Sequence, residues 1–117
     1  MMTKNVTITS PTSNGYDGAD DDAVPGAILT YTIDWKNVGS IAATTVNFKD
    51  ELPDTYTNLS GNVIEDSAQG ILNTINYLES GTWFPAPAPS NSEEISVNYD
   101  LIPVDATGNL TYRVIIK

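Results

Sequence analysis

Any chemistry in this 117-residue chain must do without histidine and cysteine, since it contains neither. That removes imidazole bases, thiolate nucleophiles, disulfides and every Ser-His or Cys-His catalytic arrangement. The densest set of oxygen donors is Asn14-Gly15-Tyr16-Asp17-Gly18-Ala19-Asp20-Asp21-Asp22. Calcium takes six to eight oxygens at about 2.3–2.6 Å from a flexible loop. Asn14, Asp17, Asp20 and Asp22 are the side chains suited to supply them, with backbone carbonyls completing the shell. The spacing is not that of an EF-hand, which needs a regular Asp-x-Asp-x-Asp-Gly run and a distal glutamate. The competing reading is a solvated acidic loop that only aids solubility.

Two other groupings invite a chemical reading. Trp83-Phe84 precedes the proline-rich Pro85-Ala86-Pro87-Ala88-Pro89. It is either an aromatic platform for a sugar or a pair of rings closing one end of a core. Asp50-Glu51 and Glu93-Glu94 are paired acids, but adjacent residues of a strand point to opposite faces, so neither pair can flank one glycosidic bond. No catalytic residue is expected, and no cofactor is required beyond a candidate calcium. Lys4 and Asn109 form a candidate isopeptide pair, with Asp50, Asp100 or Glu94 as proton shuttle; an exposed terminal lysine is the simpler alternative. Asn5, Asn58 and Asn109 each begin an Asn-x-Ser/Thr triplet, which is a glycosylation acceptor by pattern and otherwise a strand-edge polar residue.

The elements that must position these residues are strands. Ala27, Leu29, Tyr31, Ile33 and Trp35 alternate with Ile28, Thr30, Thr32 and Asp34, a period of two that marks a half-buried strand. Val46 and Phe48 repeat the pattern, as do Ile95-Val97-Tyr99-Leu101 and Leu110-Tyr112-Val114-Ile116. Lys4 to Thr9 reads as a short first strand carrying Val6 and Ile8. Ile71 to Leu78 has mixed spacing and weak helix formers, and is read as a further strand. Turn signals at Pro25-Gly26, Asn37-Val38-Gly39, Ser60-Gly61 and Thr107-Gly108 punctuate the runs, and Asp50 is expected to cap turn amides before Leu52-Pro53. The expected fold is a single all-β domain over 1–117, an Ig-like antiparallel β-sandwich of about seven to nine strands. Within it, 1–9 is a first or donated strand and 10–25 an acidic loop. Leu29, Tyr31, Ile33, Trp35, Val46, Phe48, Val97, Tyr99, Tyr112 and Val114 are expected to share its core.

The order of motifs has a familiar form. Val24-Pro25-Gly26 leading into Tyr31, then Asn37-Val38-Gly39, then Val46-Asn47-Phe48-Lys49-Asp50-Glu51-Leu52-Pro53 resembles the prokaryotic surface "conserved repeat domain". This is the Ig-like domain of unknown function number eleven, and the final strand from Asn109 to Lys117 is similar in pattern. Positions 24 to 53 carry most of the likeness. The resemblance implies a cell-envelope, appendage or adhesin module that is arrayed or assembled, and it implies no catalytic residue.

Charge narrows the partners. Fifteen acids against five bases give a net charge of −10, which disfavours nucleic acid and anionic lipid, and no apolar run is long enough to insert in a membrane. The leading expectation is a non-enzymatic structural subunit, extracellular or at the cell surface, self-associating through strand edges into a filament or array. Val6 and Ile8 would enter a neighbour's core by strand donation. The alternative is an adhesin or carbohydrate-binding module. Trp83 discriminates between them: exposed on a flat face for the binder, buried for the scaffold.

Overall fold

The structure is a computed structural model, and it describes residues 2–9, 25–52 and 56–117. Among the described residues there are nine strands: β1 (Met2–Thr9), β2 (Ile28–Lys36), β3 (Ala43–Glu51), β4 (Thr57–Leu59), β5 (Ile64–Ser67), β6 (Ile71–Glu79), β7 (Thr82–Phe84), β8 (Glu94–Ile102) and β9 (Thr107–Ile116). They form two antiparallel sheets packed face to face, an all-β sandwich. One sheet runs β1-β2-β9-β4, with β5 also on β9; the other runs β3-β8-β6-β7.

The alternation read from the sequence becomes the sandwich because the inward residues of both sheets share one core. Ile33, Trp35, Val97, Tyr99, Tyr112 and Val114 are buried in it, and Leu29, Tyr31, Val46 and Phe48 pack against it half-buried. Tyr77, Ile95, Leu110, Leu52, Leu59, Val63, Ile102 and Ala106 complete it. Trp35 lies edge-on to Tyr99, with ring centroids 5.2 Å apart, and stacks towards Phe48 at 6.2 Å. Its indole rests on its cross-strand partner Gly108. A Cβ at that glycine would stand 2.3 Å from the ring, so only glycine lets the tryptophan lie down.

Turn chemistry acts where the spacing places it. Between β2 and β3 the Asn37 side chain accepts the Gly39 amide (3.0 Å) and donates to the carbonyls of Ile41 and Ile102 (3.1 and 3.0 Å). One amide therefore closes the turn and ties it to the end of β8. Gly26 has φ of 89°, as a chain-entry turn before β2 requires. The Ile71–Leu78 segment is a strand, paired with β8 through register irregularities at Ile71, Leu72 and Thr74. Those irregularities explain its mixed hydrophobic spacing. The proline-rich stretch loops from β7 towards β4, where Ser90 accepts the Leu59 amide and Asn62 accepts the Ala88 amide.

Candidate functional site

Three tyrosine hydroxyls link one sheet to the other. Tyr112 on β9 donates to Asp50 Oδ2 on β3. Tyr99 on β8 donates to Glu65 Oε1 on β5 at 3.0 Å. Tyr77 on β6 accepts the Val63 amide beside β5 at 2.8 Å. Burial raises the pKa of all three hydroxyls; hydrogen bonding and charge from Asp50 and Glu65 push Tyr112 and Tyr99 further up, while the Val63 amide pulls Tyr77 partly back. Tyr99 also sits near the Trp35 indole, which offsets a small part of its shift. These pairs hold protons in place between the sheets. The void beside Tyr112 and Asp50 measures about 10 Å³, room for at most about one water. The acids of the interior are therefore structural partners of tyrosines.

Asp50 was expected to cap turn amides before Leu52-Pro53, a turn that runs outside the described residues; its carboxylate meets a hydroxyl across the sandwich. The signal was present: Asp50 lies in phase with Val46 and Phe48 along β3 and shares their inward face. Glu51 points outward and is exposed, so this acid pair is split between two faces as strand geometry demands. Glu93 accepts the Ser80 amide at the β6–β7 turn. Lys4 stands opposite Ile33 and Asn109 opposite Asp34, with β2 between them; the register does not bring Lys4 and Asn109 together.

The outward face of the β3-β8-β6-β7 sheet is different. Asn47 pairs across with Asn98, Lys49 with Ser96, and Asn76 with Ser96 from the other side. Trp83 on β7 is opposite Leu78 and belongs to the same outer face, 41% exposed. It does not close the end of the core. The Lys49 Nζ lies over its ring, 5.9 Å from the centroid. Asn47, Lys49, Asn76, Trp83, Ser96 and Asn98 line a shallow depression of about 470 Å³. The sequence shows Ser96 and Asn98 as outward positions of one strand, but nothing local places Asn47, Asn76 or Trp83 beside them.

The remaining expected sites fall as follows. Asn14, Asp17, Asp20 and Asp22, the candidate calcium ligands, lie outside the described residues. Among the described residues no cluster of three or more acids is placed to hold a metal. Val6 and Ile8 occupy β1 at the register positions of Tyr31 and Leu29. Of the glycosylation triplets, Asn5 is in β1, while Asn58 and Asn109 are half-buried within β4 and β9. Asn58 Oδ1 is buried with no hydrogen-bond partner. Comparison with known proteins returns no significant match to a family model, a curated protein or a solved structure.

Proposed function

We propose that this chain is a non-enzymatic structural module of an extracellular surface assembly, self-associating through its strand edges into a filament or array. The supporting observation is an open seam along one side of the sandwich; the exposure of Trp83 on the outer face favours instead the alternative of a carbohydrate-binding module, and both readings stand. Among the described residues β3 pairs only with β8, leaving its other edge without a strand. Beside that edge, Leu29, Tyr31, Ala43, Val46 and Phe48 are only partly buried against the core. An unpaired row of amides and carbonyls next to uncovered apolar side chains is the setting in which an added strand gains both ladder bonds and burial. The first strand of a second copy has the required alternation at Val6 and Ile8, and since β1 pairs with β2 of its own chain, donation exchanges that ladder for one on a neighbour's β3. It is joined to β2 by residues 10–27, a stretch that spans up to ~60 Å when extended.

The Ig-like character of the sandwich and its kinship with the conserved repeat domain belong to the same proposal. They rest on the Pro25-Gly26, Asn37-Val38-Gly39 and Leu52-Pro53 positions and on the turn roles of Gly26 and Asn37. The test is light scattering and negative-stain microscopy of the full chain beside a variant lacking residues 1–9. The expected result is concentration-dependent oligomers that the deletion removes. A full chain that stays monomeric at high concentration, or a truncated one that forms the same oligomers, overturns the assignment.

A further inference from the structure

We infer that the outer face of the β3-β8-β6-β7 sheet is a saccharide-binding platform, with Trp83 as the stacking ring and Asn47, Asn76, Ser96 and Asn98 as the polar floor. This inference is independent of assembly. The depression of about 470 Å³ falls within the ~300–1,000 Å³ of typical small-ligand sites. It combines one aromatic wall and one cation, Lys49, with four convergent uncharged polar groups. An indole presents a negative π-face, which suits the weakly positive C–H face of a pyranose ring. Asparagine side chains carry a donor and an acceptor side by side, the arrangement that matches adjacent sugar hydroxyls.

The floor is ordered before any ligand arrives. Asn47 Nδ2 donates to Ser96 Oγ at 2.8 Å and to Asn98 Oδ1 at 2.6 Å, and Asn98 Nδ2 donates to Thr74 Oγ1 at 3.0 Å. Those bonds consume part of the polar capacity and leave the Asn47 carbonyl and one Asn98 N–H for a ligand, with Ser96 buried beneath them as support. The Lys49 ammonium lies over one face of Trp83 and holds the ring from that side by a cation–π contact, so the sugar stacks on the opposite face. A fixed ring and a fixed floor lower the ordering cost of binding.

Charge selects within the class. Glu51 and Glu94 face each other one step along the same surface, and the chain carries −10 overall. Lys49, the one cation of the lining, is engaged over the Trp83 ring, and an anionic sugar would meet the glutamate repulsion, so the site fits a neutral hexose or N-acetylhexosamine unit.

The experiment titrates the ¹⁵N-labelled full chain with cellohexaose, mannohexaose and chitohexaose in turn, following the two indole N–H signals. At least one of these neutral oligosaccharides is expected to shift the Trp83 signal and leave that of buried Trp35 in place, with little dependence on salt. Trp83→Ala should weaken binding by at least about tenfold, and Asn76→Ala by less, since one aromatic anchor carries most of such a site. Trp83→Phe should retain part of the affinity. Both tryptophan variants must keep the native melting temperature. Three results overturn the inference: no shift at ~10 mM of any of the three, shifts that survive in Trp83→Ala, or salt-sensitive binding of polygalacturonate in preference to them all.

Discussion

The Tyr112 hydroxyl donates to the Asp50 carboxylate from the opposite sheet, so the last long strand and the strand after the first turn are joined by a proton as well as by packing. Of the three tyrosines that cross the sandwich, Tyr112 alone has a carboxylate partner in the same strand as the half-buried Val46 and Phe48. Removing the hydroxyl leaves that carboxylate without this donor. Tyr112→Phe is expected to cost ~0.5–1.5 kcal/mol in chemical denaturation, the net worth of one intramolecular hydrogen bond. A loss below the measurement error would show that the bond contributes nothing net.

Alkaline pH should expose the same relationship. The pKa values of Tyr77, Tyr99 and Tyr112 are raised above the ordinary value of 10.0, so the folded chain keeps protons that the unfolded chain releases. Their contribution is complete below pH 10 and is lost as pH rises beyond it. Tyrosinate absorbance should therefore show some tyrosines ionising only together with loss of the far-ultraviolet strand signal. Smooth ionisation of all six tyrosines in a still-folded chain would contradict this.

Gly108→Ala is expected to destabilise by ~1–3 kcal/mol, because overpacking displaces the Trp35 ring. Gly70→Ala is the graded control: its Cβ would stand 3.2 Å from the same indole, against 2.3 Å at Gly108. The Gly108 variant should lose more stability and alter Trp35 fluorescence more. Equal effects would mean that ring contact is not what requires glycine at position 108.

The two tryptophans should part company under truncation. Trp35 is 4% exposed and central to the aromatic cluster, and Trp35→Ala should cost ~3–5 kcal/mol. Trp83→Ala, on the outer face, should stay within ~0.5 kcal/mol of the parent. A large loss at Trp83 would place it among the stabilising residues and remove the case for a ligand-facing ring.

If the acidic run binds calcium, the ion stabilises the folded chain by mass action. Millimolar calcium is then expected to raise the melting temperature, a chelator to lower it, and Asp20→Asn with Asp22→Asn to abolish the response. A melting curve unmoved by calcium leaves the run as a solvated acidic loop.

The class of fold was legible in the residues themselves, since side-chain period in a strand is a local property. Leu29, Tyr31, Ile33 and Trp35 declare one face and Thr30, Thr32 and Asp34 the other without knowledge of any partner. Asn37 and Gly39 likewise announce a turn, because the side chain that closes it is two residues from the amide it accepts. Phase along β3 even marked Asp50 as inward. What that acid would meet was beyond local reading: Tyr112 lies sixty-two residues away, and only strand order and register bring the two together. The same holds for the outer face. Asn47, Asn76, Ser96 and Trp83 come from four strands, and a shift of one residue in any of them would turn its side chains to the other side of the sheet. Composition and period determined that this chain would build a two-faced sandwich; the pairing of β3, β8, β6 and β7 alone decided which polar residues gather around an exposed indole.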